Sequence, residues 1–233
     1  MRARQRHFNA RGVGAKLVLD ARFISGISDG SQFSPWSDIS GNSNDGTQAT
    51  SSRRPTYRAS TSNGLPSVEG NAANSVSLGT TITTAFTDFF CQIIYKDLSG
   101  GAAFERLVDK AYDTGFWMGR NASTGNSFGG GVRQSSSPYG NYTSAITDGT
   151  FGILSIGRTS STKKQSANGD EFASINVGST ALSTASFGLF AGTTGDYSSS
   201  QLSQVLLLDS FPSDPMLKRL QRTSAYAFKL PCS

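Results

Sequence analysis

Short apolar segments of strand length recur along this chain, and stretches rich in glycine, serine, asparagine and aspartate separate them. The strongest segment, residues 89–95, combines β-branched and aromatic residues with nothing that breaks a strand. No helical pattern lies between these segments, which argues against parallel strands joined by crossover helices. The spacing predicts an all-β antiparallel sandwich. The expected strands are residues 17–19, 76–78, 89–95, 104–108, 115–119, 128–132, 151–157, 171–177, 188–191 and 201–208.

One helix is expected at the C-terminal end, over about residues 214–229. Residues 213–215 read Ser-Asp-Pro, which supplies a cap residue and a proline in the first turn. Apolar residues at helical spacing follow, and the helix is expected to stop before Pro231. Residues 25–66 are dense in Gly, Ser, Asn and Asp and are predicted to form one long loop.

The composition supports a folded domain and removes several classes of function. The 37 serines, 21 threonines and 26 glycines make up 84 of the 233 residues, but 24 aromatic residues are too many for a disordered Ser/Gly chain. A long coiled coil is excluded because Glu and Lys are scarce, with 3 and 7 of the 233 residues. A catalytic triad or metal site built on histidine would rest on His7 alone.

The net charge of +5 comes from the N-terminal end. Residues 1–22 hold six basic groups and one acid, whereas the other 211 residues hold fifteen of each sign. We therefore divide the chain into a basic arm, residues 1–15, and a domain, residues 16–233, whose charges nearly cancel. The arm is expected to bind other protein subunits of an assembly, and contact with nucleic acid stays open. Its candidate contact residues are Arg2, Arg4, Arg6 and Arg11.

No export signal or membrane insertion is expected. The basic start is not followed by the apolar run of a secretory signal, and no run reaches the 18 apolar residues of a membrane-spanning helix. Cys91 and Cys232 are too few for a disulfide framework. Cys91 lies in an apolar segment and is expected to be a buried free thiol.

The order of several motifs resembles laminin-G-like domains of the concanavalin A-like lectin/glucanase class. Residues 17–21 read Leu-Val-Leu-Asp-Ala, residues 36–44 Trp-Ser-Asp-Ile-Ser-Gly-Asn-Ser-Asn, and residues 54–57 Arg-Pro-Thr-Tyr. Asn-Gly-Leu-Pro-Ser-Val at 63–68 and Asp-Gly-Thr-Phe at 148–151 complete the set, with Phe where the family usually has Trp. The resemblance covers about residues 16–230. It implies a two-sheet jelly-roll sandwich closed by a helix.

Glycoside hydrolysis is the enzymatic use of such a fold, and it needs two carboxylates about 5–10 Å apart. The chain has three glutamates, Glu69, Glu105 and Glu171, without the spacing that glucanases of this class use. Glu105 and Asp109 are four residues apart, which predicts the same face of a strand. We expect no enzymatic activity.

Calcium binding is an alternative for one loop, although we expect no cofactor. Calcium takes six to eight oxygen ligands. The same Asp and Asn side chains beside glycines also stabilise turns through hydrogen bonds, and this interpretation is favoured. The candidate metal ligands are Asp38, Asn42, Asn44 and Asp45.

Glycan binding usually combines an exposed aromatic ring with amide, carboxylate or Arg groups. Tyr139 and Tyr142 are the best candidates, because the serines, proline and glycine around them indicate a loop tip. Trp117 is a candidate too, but alternation places it on the face opposite to its apolar neighbours, and packing is its alternative role. The remaining candidates are Tyr112, Asn121, Arg133 and Tyr197.

These features predict a non-enzymatic protein, although the fold does not decide its function. The first hypothesis is a structural or decoration subunit, or a tail or fibre part, of a virus or phage particle assembled in the host cytoplasm, with a lectin-like sandwich that contacts glycans. The alternative is a free-standing carbohydrate-binding lectin module, exported by a non-classical route. A glycoside hydrolase ranks third.

Overall fold

Thirteen strands and one α-helix make up the regular structure in the computed structural model, which describes residues 13–98, 105–111, 114–120, 128–132, 149–170, 172–192 and 195–230. The helix, α1, is Asp214–Phe228. The strands are β1 (Ala15–Asp20), β2 (Thr56–Ser62), β3 (Leu65–Glu69), β4 (Leu78–Gly79), β5 (Phe89–Asp97), β6 (Glu105–Lys110), β7 (Phe116–Arg120), β8 (Phe128–Val132), β9 (Phe151–Thr159), β10 (Thr162–Ala167), β11 (Ala173–Asn176), β12 (Gly188–Leu189) and β13 (Ser200–Leu208).

The strands form two antiparallel sheets. The large sheet has eight strands in the order β11-β10-β9-β5-β13-β3-β2, and β1 pairs with the second half of β13. The small sheet has five strands in the order β4-β12-β6-β7-β8. Two edge strands, β2 and β11, therefore border the large sheet on opposite sides.

The two sheets enclose one hydrophobic core. Alternate residues of β5, such as Phe89 and Cys91, point inward and meet Phe116 and Met118 of β7. The rings of Phe89 and Phe116 stack with their centroids 4.0 Å apart. Burial raises the pKa of the Cys91 thiol, which is free, as expected. The predicted two-sheet jelly-roll sandwich with one C-terminal helix is confirmed.

Helix α1 covers part of the outer face of the large sheet. Leu217 and Leu220 pack on Phe90 and Leu206, which point away from the central core. Beneath the helix, Ser224 Oγ accepts a hydrogen bond from Gln92 Nε2 at 2.7 Å. The helix is therefore fixed to the sheet by both apolar and polar contacts.

Three strands lie where the sequence predicted none. The expected loop 25–66 contains β2 and the first two residues of β3, and neither the rest of β3 nor β10 was predicted. Strands β2 and β10 are polar, reading Thr-Tyr-Arg-Ala-Ser-Thr-Ser and Thr-Lys-Lys-Gln-Ser-Ala. Their stability comes from pairing with neighbouring strands and not from apolar side chains on both faces.

Candidate functional site: a cleft between the helix and the large sheet

A cleft of about 570 Å³ lies between α1 and the edge of the large sheet formed by β10 and β11. Its floor is the outward face of these two strands, and one side of α1 forms its wall. The turn that follows β10 closes one end. The residues that line the cleft are Lys164, Gly169, Asp170, Phe172, Ser174, Asp214, Leu217, Lys218, Gln221 and Arg222.

The wall follows from helical spacing. Asp214, Lys218 and Arg222 are four residues apart and form one row along the helix surface. Leu217 and Gln221 form the neighbouring row, which is buried against the sheet. The helix thus turns an apolar and amide row toward the floor and a charged row toward the opening.

The floor follows from strand alternation. Lys163 and Lys164 are adjacent on β10 and therefore point to opposite faces. Lys163 is buried between the sheets, where its ammonium group donates to the carbonyl oxygen of Gly130. Lys164 points outward, opposite Ser174 of β11. One of two neighbouring lysines consequently belongs to the core, and the other belongs to the cleft.

An aromatic pair borders the cleft at one side. The rings of Phe172 and Phe211 meet edge to face, with centroids 5.9 Å apart and planes at 84°. The ammonium group of Lys164 lies 5.2 Å from the centroid of Phe211. This contact holds the Lys164 side chain against an apolar surface and leaves its charge at the cleft.

A chain of hydrogen bonds joins the helix, the strand and the turn. Gln221 Nε2 donates to Ser166 Oγ at 3.2 Å, and Ser166 Oγ donates to the carbonyl oxygen of Asp170 at 2.6 Å. Because Gln221 and Ser166 are both buried, these bonds fix the distance between wall and floor. The cleft is therefore preformed.

The cations of the cleft have no anionic partner in the part of the chain that the structure describes. Lys164, Lys218 and Arg222 form no ion pair there, and neither does Asp214. Lys218 and Arg222 are exposed, whereas Lys164 is half-buried. Together with the amide of Gln221, the hydroxyl of Ser174 and the ring of Phe172, these groups can donate and accept hydrogen bonds and can bind an apolar face of a ligand.

Trp117 does not form an exposed platform for sugar stacking. It lies on the face of β7 opposite to Phe116 and Met118, as alternation predicted, but its side chain is only 2% exposed. The guanidinium carbon of Arg106 lies 4.0 Å from the centroid of the Trp117 ring and occupies one of its faces. These contacts favour the packing role that the sequence left open for Trp117, and its role in sugar stacking stays a prediction.

Tyr197 is half-buried and does not line the cleft. It follows Asp196, whose carbonyl oxygen accepts a hydrogen bond from the backbone N–H of Arg106 at 3.3 Å. Arg106 thus links the segment of Tyr197 to Trp117. The other glycan candidates, Tyr112, Asn121, Arg133, Tyr139 and Tyr142, lie outside the described residues, as do the arm residues Arg2, Arg4, Arg6 and Arg11.

The loop proposed for calcium forms hydrogen bonds that anchor β1. Both carboxylate oxygens of Asp38 accept backbone hydrogen bonds, Oδ1 from Val18 and Oδ2 from Asn44, each at 3.0 Å. Asp45 Oδ1 accepts from the N–H of Asp38 at 2.8 Å. The amide of Asn42 donates to the carbonyl of Ala15. These bonds fit the favoured structural role, and calcium binding stays a prediction.

A bulge separates the carboxylates that the sequence placed on one face. The register of β6 against β7 shifts between Arg106 and Val108, so Leu107 is an extra residue. Glu105 consequently points to the inward face, like Phe116 and Met118, whereas Asp109 points to the outward face, like Trp117. The predicted common face of Glu105 and Asp109 is wrong for this reason.

Glu69 is held in a bidentate ion pair. Arg58 contacts its two carboxylate oxygens at 3.0 and 2.7 Å, and Gln201 donates to it at 2.7 Å. Burial alone would raise the pKa of Glu69, but these bonds outweigh it and lower the pKa. An ionised, bonded carboxylate of this kind is unsuited to act as a general acid.

The fold is shared with known β-sandwich domains. The binding domain of Paraclostridial Mosquitocidal Protein 1 matches with a TM-score of 0.63 at 10% identity, over 91% of this chain and 52% of that one. The binding domain of botulinum neurotoxin DC in complex with SialylT matches with a TM-score of 0.57 at 11% identity, over 90% of this chain and 51% of that one. A GH54 α-L-arabinofuranosidase also matches with a TM-score of 0.57, at 13% identity, over 84% of this chain and 51% of that one.

These similarities establish the fold class and not a ligand, because the identities are low and the chain spans about half the length of the matched structures. No protein-family model matches the sequence, and no curated protein is significantly similar to it. The comparisons give no support to a virion subunit. Among the described residues, no helix is long and apolar enough to cross a membrane.

Proposed function

We propose that the protein is a lectin-like module that binds a saccharide in the cleft between α1 and the large sheet, and that it does so without catalysis. The observation that carries this proposal is the cleft itself, because its 570 Å³ falls within the range of about 300–1,000 Å³ that is typical of small-ligand sites.

The chemistry of the cleft supports a saccharide. Sugar rings present hydroxyl groups at their edges and C–H groups on their faces. Lys218 and Arg222 can donate to hydroxyl oxygens, and the carboxylates of Asp170 and Asp214 can accept from hydroxyl hydrogens. Phe172 offers apolar surface for a ring face.

The rigidity of the cleft supports binding as well. Wall and floor are held by the bonds of Gln221 and Ser166 and by the packing of Leu217 in the apolar cluster. A site that is preformed loses little conformational entropy when a ligand binds. The fold adds to this, because two of the matched structures are named as binding domains.

The absence of catalysis is proposed from the carboxylates. Glu69 is bonded to Arg58, and Glu105 Oε1 accepts from the N–H of Ser199 at 3.3 Å. Asp109 points to the opposite face from Glu105. A purified preparation incubated with any glycan that it binds should release no shorter product. Release that tracks the protein would instead assign it to the hydrolases.

A cleft-filling substitution tests the site. Ser174→Trp places an indole in the cleft from an exposed position of β11, where an aromatic residue is tolerated. Binding to a glycan array should fall at least tenfold, while the melting temperature stays unchanged. The matched control is Ser60→Trp, an exposed position on β2 at the opposite edge of the same sheet. Unchanged binding by Ser174→Trp would refute the cleft as the site.

A further inference from the structure

We infer that the saccharide bound in this cleft carries an anionic group, a carboxylate or a sulfate. The inference rests on the proposed function and names the ligand class for the same site. Among the described residues that line the cleft, three side chains are cationic, Lys164, Lys218 and Arg222, against two carboxylates, Asp170 and Asp214.

The excess of positive charge is local. Outside residues 1–22 the chain carries fifteen basic and fifteen acidic groups, so the domain as a whole gives no reason for a positive cleft. Elsewhere in the described residues, basic side chains such as Arg22 and Arg58 contact a carboxylate at 2.5 and 2.7 Å. The three cations of the cleft make no such contact in the described residues, so their charges are open to a ligand.

The positions of the cations suit an anion. Lys218 and Arg222 are neighbours on one row of the helix, and Lys164 comes from the floor. The guanidinium group of Arg222 presents parallel N–H donors that match the two oxygens of a carboxylate or two oxygens of a sulfate. A neutral sugar offers these cations hydroxyl oxygens only, whereas an anionic sugar adds a partner of opposite charge.

Asp214 orients such a ligand along the helix. Asp214 begins the same row that continues through Lys218 to Arg222. Like charges repel, so the anionic group of the ligand should lie at the Arg222 end and its hydroxyl groups at the Asp214 end. This polarity predicts opposite effects for substitutions at the two ends.

The test uses the full chain and glycan backbones that are present in neutral, carboxylated and sulfated form. Lactose, 3′-sialyllactose and 3′-sulfolactose are one such set, within an array that holds the same three forms of other backbones. The acidic members should bind about tenfold more tightly than the neutral member, and the difference should shrink as the salt concentration rises. The two acidic arms distinguish a carboxylate from a sulfate as the group that is recognised.

Substitutions locate the charge effect. Arg222→Ala should weaken binding of the acidic form about fivefold and leave the neutral form nearly unchanged, whereas Asp214→Asn should strengthen the acidic form. Arg219→Ala is the matched control, since it removes the same charge from the same helix outside the cleft. Equal effects of Arg219→Ala and Arg222→Ala would overturn the inference.

The outcomes separate this inference from the proposed function. If neutral glycans bind as well as acidic ones and Ser174→Trp abolishes both, the cleft binds saccharides but the inferred charge is wrong. If no glycan of any form binds, the proposed function fails, and the inference fails with it.

Discussion

The two outer faces of the sandwich use similar residues in opposite ways. On the small sheet, the guanidinium of Arg106 lies over the ring of Trp117, and Asp109 is buried on the same face. On the large sheet, Arg222 and Lys164 border an open cleft beside an aromatic pair. On the small sheet the charged side chains are buried in contacts within the protein, whereas on the large sheet they are accessible to a ligand.

The difference shows that residue type alone does not identify a binding site. Trp117 is the kind of residue that sugar-binding sites use, yet its burial and its contact with Arg106 favour packing. Lys164 carries no such signal in the sequence, yet the placement of α1 turns it into a lining residue of a cleft. Exposure and pairing therefore distinguish the two faces.

The largest expected effect on stability is at the outer face of the small sheet. Trp117→Ala removes a buried ring that covers the guanidinium of Arg106, and it should lower the free energy of unfolding by about 3–5 kcal/mol. Urea unfolding measures this change. The control is Tyr226→Ala, because Tyr226 is 84% exposed and its loss should change stability by less than about 0.5 kcal/mol. A Trp117→Ala protein that is stable but no longer binds glycans would instead place the glycan site at Trp117.

A smaller effect on stability is expected at Gly131, whose backbone lies against the ring of Trp117. A Cβ atom at Gly131 would lie 2.3 Å from Trp117 Nε1, so Gly131→Ala should cost about 1–3 kcal/mol through crowding. Gly79→Ala serves as the control, since no heavy atom lies within 4 Å of a Cβ atom there. Equal stability of the two variants would show that the ring is loosely packed.

The two adjacent lysines of β10 should differ in their effect on the pH dependence of stability. Burial lowers the pKa of Lys163 from 10.5 to about 7, so between these values the unfolded state binds more protons than the folded state. Stability should therefore rise from pH 7 toward pH 10, by at most about 1.4 kcal/mol per pH unit from this residue. Burial also lowers the pKa of Lys110, to about 8, which adds a rise at higher pH.

Two substitutions separate the lysines. Lys163→Met should remove most of the rise in unfolding free energy between about pH 7 and 8, where Lys110 adds little, whereas Lys164→Met should leave that rise in place because Lys164 lies at the cleft. Thermal unfolding at several pH values provides the measurement. A rise between pH 7 and 8 that is as steep in Lys163→Met as in the unsubstituted protein would contradict the assignment of Lys163 to the core.

The smallest effect on stability is expected at the cleft on the large sheet. Arg222→Ala removes an exposed side chain with no ion pair in the described structure, so stability should change by less than about 0.5 kcal/mol. Its effect should appear in binding and not in folding. A loss of more than about 1 kcal/mol would mean that Arg222 supports the helix.

The sequence predicts the apolar elements well and the polar ones poorly. Strand β5 and helix α1 carry their own signals, an unbroken β-forming run and a capped amphipathic segment. Strand β2 lacks an apolar run, but the Asn63-Gly64 turn after it is a hairpin signal, and both residues have positive φ values, 52° and 82°. That turn could have identified β2.

The site depends on features that no local pattern encodes. The bulge at Leu107 decides that Glu105 and Asp109 face apart, and the sequence around it contains no marker for a bulge. The cleft arises only when α1 packs across β10, although the row of Asp214, Lys218 and Arg222 is readable from spacing alone. Tertiary packing thus determines which readable residues become a site.

An NMR titration of the ¹⁵N-labelled full chain with the glycan that binds most tightly would locate the ligand on the sandwich. Amide shifts should change around the cleft, at Lys164, Ser174, Lys218 and Arg222, and the small sheet around Trp117 should stay unperturbed. Shifts confined to the small sheet, with none at the cleft, would contradict the claim that the ligand binds between the helix and the large sheet.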